Sequence, residues 1–184
     1  RPALFTGIAP SRSGNISNDN GKRPWRFYAG PETVTIPKLF SQNGWDSIGI
    51  AKNFHRGDAA EFDTYVPPFK TPKKLKKVGV RLKSASWDIA DIPASEMGDY
   101  KAASTAIKTI DSHKGPLFLS VGIYRPHVPW IVPQAYFDLY PPETLQLSER
   151  RVEDLDDLPE RLKLVAGFEA KFGKGYHEML VEKG

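Results

Sequence analysis

Two short segments of the sequence place cationic side chains directly after predicted strands. The first is AKNFH at 51–55, which contains Lys52 and His55, and the second is YRPHVPW at 124–130, which contains His127. A lysine ammonium supplies a compact positive charge with three donors, and a histidine supplies a donor or a proton for acid–base work. These residue types suit a sulfate or phosphate ester, in which negative charge builds up on the oxygens of the transferred group.

The elements that must position these side chains form an α/β pattern. The apolar runs at 47–51 and 117–123 predict strands, and the second is so apolar that we expect it to be buried on both faces. Residues 99–113 predict a helix because apolar side chains recur there at helical spacing. A helix that leads into such a strand is half of a parallel crossover unit. Ligand sites in open α/β sheets gather at the carboxyl ends of the strands, so we expect Lys52, His55 and His127 to converge.

The rest of the chain is harder to interpret. Further helices are predicted at 3–7, 32–42 and 133–140, and residues 15–31 are predicted as loop. The lysine-rich stretch at 70–77 contains prolines and predicts an exposed loop, followed by an edge strand at 78–82. Other charged residues lack ligand spacing and are interpreted as surface or helix-end groups: Asp91, Asp99, His113, His177 and the mixed charge run at 149–161.

Composition excludes several classes of protein. The chain of 184 residues suits one domain or part of a larger one, and its first residue, Arg1, suggests a piece of something longer. It has no cysteine, which excludes disulfides and thiolate zinc sites. The net charge of +4 is too small to imply a nucleic acid partner. No apolar run approaches the roughly 18 residues that a membrane helix needs, so we expect no membrane insertion.

Three segments in order resemble the sulfatase family of the alkaline-phosphatase superfamily, and most closely its iduronate-2-sulfatase-like branch. RPALFTG at 1–7 is similar to the end of the family's C-x-P-S-R-x-x-x-x-T-G motif, with Arg1 at the required distance from Thr6 and Gly7. AKNFH is similar to G-K-x-F-H, with Ala51 in place of the usual glycine. YRPHVPW is similar to K/R-P-H-x-P-F/W, which follows a central strand in the family. The likeness spans most of residues 1–150.

The resemblance implies a role for each of these residues. Lys52 and His127 would contact the sulfate, and His55 would contact the hydroxyl of the formylglycine nucleophile, an oxidised cysteine. Arg1 would lie against that nucleophile. Apart from the resemblance, we expect Arg125 and Trp130 to contact substrate, and for Trp130 two roles stay open: stacking on a sugar ring, or packing in the core or the pocket wall. The implied fold is an α/β/α sandwich with a mostly parallel central sheet.

The departures from the family pattern concern the nucleophile and the metal. The motif's cysteine would lie four positions before Arg1, and the family's acidic metal-ligand pairs are not found in this sequence. We therefore expect residues 1–184 to be a partial catalytic domain with no metal ligands of its own. Formylglycine and calcium would belong to the intact enzyme, and this chain alone would be inactive.

The sequence thus predicts a sulfuric ester hydrolase that acts on sulfated sugars or polysaccharides, with no nucleic acid partner. A phosphodiesterase or phosphonate hydrolase of the same superfamily is an alternative, and so is a non-catalytic module that binds sulfated glycans. The resemblance also implies a periplasmic, secreted or lysosomal location.

Overall fold

The computed structural model describes residues 1–16, 30–55, 59–77, 79, 86–146, 157 and 159. They form two compact units. The first contains Arg1–Lys73 and Ile92–His127, and the second contains Lys74–Asp91 and the described residues from Val128 onward. The segments 1–7 and 51–55 therefore belong to the first unit, whereas 124–130 passes from the first unit to the second after His127.

A three-stranded parallel sheet organises the first unit. Strand β1 (Asp46–Ala51) lies between β2 (Thr64–Val66) and β4 (Leu117–Gly122). Its first residue, Asp46, pairs with Leu117, and its last, Ala51, pairs with Gly122, so β1 and β4 are in register along their whole length. Both pairings are parallel, which confirms the predicted α/β class and the predicted strands at 47–51 and 117–123.

Helices cover both faces of this sheet, which gives three layers. Successive strand residues point to opposite faces, and the side chains divide accordingly. One face is aromatic and packs against α1 (Pro2–Thr6) and α3 (Ile36–Gln42), with α2 (Pro10–Ser13) between them in sequence; its residues are Phe5, Phe54, Phe62, Tyr65, Phe118 and Phe40. The other face is aliphatic and packs through Ile50 against Ala102 and Ala106 of α4 (Gly98–Ser112), and Ala51, whose backbone leaves the strand conformation, joins the same cluster.

The predicted helix at 99–113 is confirmed as α4, but most of its large apolar side chains do not face the sheet. Tyr100, Ile107 and Ile110 are 50%, 59% and 60% exposed, while the small residues Ala102 and Ala106 are buried. Small residues allow the helix backbone to approach the sheet closely. The face that packs is therefore set by side-chain size and not by hydrophobicity alone.

The prediction that β4 is buried on both faces was wrong. Its side chains are half-buried, and Val121 is 36% exposed. The reason is its position, because among the described residues β4 pairs with β1 alone and is an edge strand of the sheet, not a central one. An apolar run predicts a strand correctly, but burial depends on how many neighbours the strand has.

Helix α3 begins at Ile36, four residues later than predicted. Thr35 is its N-cap, and the Thr35 hydroxyl accepts a hydrogen bond from the Lys38 amide at 3.5 Å. Pro37 lies in the first turn, where a missing N–H costs nothing. The predicted helix at 3–7 is confirmed as α1, and the helical turn at 133–140 as α5 (Gln134–Phe137).

The second unit contains two short parallel strands that the sequence did not predict, β3 (Trp87–Ala90) and β5 (Trp130–Pro133). Phe137 of α5 packs on Trp87 with ring centroids 5.8 Å apart. Most of the predicted loop at 15–31, the predicted strand at 78–82 and the charge run at 149–161 lie outside the described residues. None of the described helices is long and apolar enough to cross a membrane.

Candidate anion site at the carboxyl ends of β1 and β4

The pairing of β1 with β4 brings two of the predicted segments together. At the end of the ladder, the Lys52 amide donates a hydrogen bond to the Gly122 carbonyl at 3.0 Å. The chain leaves β1 through Lys52 and His55, and it leaves β4 through Tyr124 and His127. Both segments therefore emerge from the same edge of the sheet, as the parallel arrangement predicts.

Two backbone features fix the exit from β1. Ala51 has a φ of 58°, in the left-handed region that favours glycine. A Cβ atom on Gly122 would lie only 2.0 Å from the Lys52 carbonyl oxygen and 2.7 Å from the Lys52 nitrogen. Only a residue without a side chain allows this approach, so Gly122 determines where the Lys52 backbone can lie.

Tyr124 joins the cationic side chains of the two segments. The Lys52 Nζ lies 4.7 Å from the centroid of the Tyr124 ring, and the Arg125 guanidinium carbon lies 5.3 Å from it. The His127 ring is also near, with centroids 4.9 Å apart. A cation over an aromatic face is attracted by the ring quadrupole. Lys52 and His127 therefore contact the same ring, although the sequence places them 75 residues apart.

Asp99 fixes the loop that carries Tyr124 and His127. Its two carboxylate oxygens accept hydrogen bonds from the amides of Tyr124, at 2.8 Å, and Arg125, at 3.0 Å. The His127 amide in turn donates to the Tyr124 carbonyl at 3.1 Å. The sequence analysis treated Asp99 as surface charge, but it is half-buried and has this structural role. Its partners are backbone amides, which no side-chain pattern reveals.

Arg1 lies beside the β1 exit. Its guanidinium donates a hydrogen bond to the Lys52 carbonyl at 2.5 Å. Helix α1, which follows, is anchored by Phe5, whose ring lies 4.6 Å from that of Phe54 between centroids. The segments RPALFTG and AKNFH thus pack against each other through one buried aromatic pair and one hydrogen bond.

The remaining predicted site residues are less closely connected. His55 is exposed, and within the described part of the chain no hydrogen bond or ring contact joins its side chain to Lys52, Tyr124 or His127. Trp130 belongs to the second unit, where it begins β5 and is 50% exposed. The structure therefore brings together Arg1, Lys52, Arg125 and His127, and it does not join His55 to them.

Asn53 and Ser120 are two further residues at this edge that the sequence analysis missed. The Ser120 hydroxyl donates to the Asn53 side-chain oxygen at 2.5 Å, and the Asn53 side-chain nitrogen donates to the Ile50 carbonyl at 3.1 Å. Asn53 is buried. A buried polar side chain is costly without partners, so these bonds stabilise the turn that presents Lys52. In the sequence, the sign of this role was the polar residue Asn53 inside the AKNFH motif.

The described residues do not provide a metal site. Among them, no group of three or more His, Asp or Glu side chains could hold a metal ion. The Asp99 carboxylate already accepts hydrogen bonds from the Tyr124 and Arg125 amides. Calcium ligands are therefore assigned to no described residue.

Comparison of the sequence with curated proteins identifies relatives of the chain. No protein-family profile matches the chain. A protein of Formosa agariphila named Sulfatase is 32% identical over 179 residues, which cover 86% of this chain and 35% of the relative. The Iduronate 2-sulfatases of Mus musculus and Homo sapiens are 29% and 28% identical over 170 residues, which cover 76% of this chain and 30% of each relative.

The chain spans about a third of the length of these relatives. The names of the relatives agree with the family that the three short segments indicated. The fold agrees as well, since a parallel sheet carries two of those segments at one edge. The chain therefore belongs to the sulfatase family.

Proposed function

We propose that the chain forms part of a sulfuric ester hydrolase and that Lys52 and His127 contact the sulfate group. The observation that carries the proposal is their shared contact with the Tyr124 ring. Two cationic residue types at the carboxyl ends of adjacent parallel strands make a place for a tetrahedral oxyanion. The relatives' names supply the identity of that anion as a sulfate ester.

The contact with Tyr124 leaves the lysine able to act on a ligand. A cation–π contact engages the ammonium through the ring face and uses no hydrogen-bond acceptor. The ammonium donors of Lys52 thus keep their capacity for sulfate oxygens, while the ring restricts where Nζ can lie. Preorganised donors of this kind stabilise charge that develops in the transition state at little reorganisation cost.

The other residues have supporting roles in this proposal. Arg1 adds positive charge beside Lys52, and His55 would accept a proton when the sulfate is released. Arg125 would contact the rest of a sulfated sugar or polysaccharide, whereas Trp130 belongs to the other unit and is given no place in this site. The nucleophile and the calcium ligands are assigned to no residue of this chain, which has no cysteine. A periplasmic, secreted or lysosomal location is part of the same proposal and rests on the resemblance alone.

A sulfate titration of the isotopically labelled chain tests the proposal. Sodium sulfate should shift the NMR signals of Lys52, Tyr124 and His127, and Lys52→Ala should weaken binding at least tenfold. Lys101→Ala on α4 is the control, because it removes the same charge from another part of the first unit. Shifts spread over many lysines, or equal losses in both variants, would contradict the site. Preferential binding of phosphate would favour the phosphoryl-transferring relatives instead.

Activity gives a second measurement. The chain alone should not hydrolyse an aryl sulfate, with or without calcium, because it offers neither a cysteine for formylglycine nor a described metal cluster. In a longer enzyme that contains this segment, Lys52→Ala should lower kcat/KM about 10²- to 10³-fold. Metal-dependent turnover by the pure chain would contradict the division of roles proposed here.

A further inference from the structure

The positive charge of the chain is concentrated in one stretch. Between Asp63 and Asp88 the sequence contains seven Lys and Arg residues and no Asp or Glu. The other 19 Lys and Arg residues are outnumbered by the 22 Asp and Glu residues, so the rest of the chain has a net charge of −3. The overall charge of +4 therefore conceals a strongly basic segment in an otherwise acidic chain.

Part of this segment has a fixed backbone in the second unit. The Lys76 amide donates to the Ile89 carbonyl at 3.0 Å, and the Asp91 amide donates to the Lys74 carbonyl at 2.9 Å. Between these bonds Leu75 pairs with Ala90 in an antiparallel bridge. Side chains alternate along a paired segment, so Lys74 and Lys76 lie on the face opposite Leu75, about 7 Å apart along the chain.

Among the described residues, no acidic side chain neutralises the charge of these lysines. Lys74, Lys76 and Lys77 are exposed, whereas Leu75 is half-buried. Within the described ranges, none of the three lysines forms an ion pair. Lys76 Nζ donates to the Gln134 side-chain oxygen at 3.5 Å. Asp91 is the acidic residue nearest in the pairing, and it is also exposed.

We propose that Lys74, Lys76 and Lys77, here called the lysine surface, bind successive sulfate groups along the chain of a sulfated polysaccharide. This inference rests on the proposed function, which makes a sulfated sugar the substrate. A lysine is a point charge that accepts many anion geometries, so a row of exposed lysines suits repeated sulfates along a flexible polymer. The surface would favour a polymer over a single sulfated sugar.

Binding of dextran sulfate to the 184-residue chain tests the lysine surface, with uncharged dextran as the blank. The variant K74Q/K76Q/K77Q should lose at least tenfold in affinity at 0.1 M NaCl. Its slope of log affinity against log salt should fall by about two, because each neutralised charge contributes about 0.7 for a flexible polyanion. The control variant K101Q/K108Q/K114Q removes the same net charge from α4 and the residues after it, and it should lose less than threefold.

Three outcomes would overturn the inference. Equal losses in the two triple variants would show that net charge alone drives binding. Absence of dextran sulfate binding at 0.1 M NaCl would show that the surface has no such role. Equal affinity for single-stranded DNA of matched charge would show a general polyanion surface. Inorganic sulfate tests the proposed function separately, because it should act on Lys52 and His127 in the triple variant as in the parent chain.

Discussion

Side chains of opposite charge lie beside the two ends of β1, and they find their partners in different ways. At the amino end, Asp63 accepts hydrogen bonds from the Ser41 hydroxyl at 2.7 Å and the Ser47 amide at 3.0 Å. At the carboxyl end, Lys52 contacts the face of Tyr124 and has no ion pair within the described residues. The carboxylate is thus satisfied by donors of the protein itself, whereas the ammonium keeps its donors for a ligand.

A second carboxylate at the amino end, that of Asp46, is largely exposed. The Asp46 carboxylate lies 3.4 Å from His113 Nε2, close enough for an ion pair, although this nitrogen is buried and not aligned for a hydrogen bond. Under the proposed function, the amino end of the sheet therefore contributes to stability and the carboxyl end to sulfate binding. Changes at the carboxyl end should therefore alter sulfate affinity, while changes at the amino end should alter stability alone.

The largest effect is expected from Gly122→Ala at the carboxyl end. The new Cβ would lie 2.0 Å from the Lys52 carbonyl oxygen, so the β1 exit must move. We expect a loss of about 3 kcal/mol in the free energy of unfolding, as for severe overpacking, and at least a tenfold loss in sulfate affinity. Urea unfolding and the sulfate titration measure the two effects.

Gly115→Ala, just before β4, is the matched control for this glycine. Its φ is 99°, but a Cβ there would meet nothing within 4 Å. Strain alone should cost about 1–2 kcal/mol, with sulfate affinity unchanged. If Gly115→Ala weakened sulfate binding as much as Gly122→Ala, the two ends of the sheet would not differ in the way proposed.

A smaller effect is expected from Asp99→Glu, which keeps the charge and moves the carboxylate. The longer side chain cannot accept from both Tyr124 and Arg125 amides in the present geometry. Weakening these charged hydrogen bonds should cost about 1–3 kcal/mol of stability and lower sulfate affinity about three- to tenfold. Asp111→Glu, on an exposed site of α4, should change neither. A stability loss with unchanged sulfate affinity would show that Asp99 does not position the anion site.

The sequence predicts the elements that depend on residues close together in the chain, and it misses the features that depend on contacts between distant residues. The strands at 47–51 and 117–123 and the helix at 99–113 were predicted because their patterns are local. The half-buried state of β4 was not, since it depends on which strands are neighbours. β2, β3 and β5 are three or four residues long and give too short a pattern. The sequence could not predict the role of Asp99, because this side chain accepts hydrogen bonds from backbone amides 25 and 26 residues away.

At the amino end, the effect of Asp63→Asn should depend on pH. The hydrogen bonds from Ser41 and from the Ser47 amide lower the pKa of Asp63 below its usual value, burial opposes them, and the charge of Lys38 lowers the pKa further. A lowered pKa in the folded state stabilises the fold above the unfolded pKa of about 3.9. That contribution disappears as the pH falls through the folded pKa.

The measurement is urea unfolding of the parent chain and Asp63→Asn at pH 7, 5, 4 and 3. The parent chain should be more stable at pH 7 by less than 1 kcal/mol, because the carboxylate is solvated, and the difference should shrink as the pH falls toward 3. Sulfate affinity at pH 7 should be equal in the two proteins. A difference that grows as the pH falls would contradict the sign of the pKa shift.

The smallest effect is expected from Ala51→Gly, which tests the turn from β1 into the anion site. Glycine would relieve the strain of a φ of 58°, worth about 1–2 kcal/mol for an L-residue. It would also remove a buried methyl group, worth about 0.8 kcal/mol, and add about 0.5–1 kcal/mol of backbone entropy to the unfolded chain. These terms nearly cancel, so we expect a change within about 0.5 kcal/mol and unaltered sulfate affinity. A change of more than 1 kcal/mol in either direction would show that one term dominates, and a loss of sulfate binding would show that the Ala51 methyl, and not Gly122, fixes the position of Lys52.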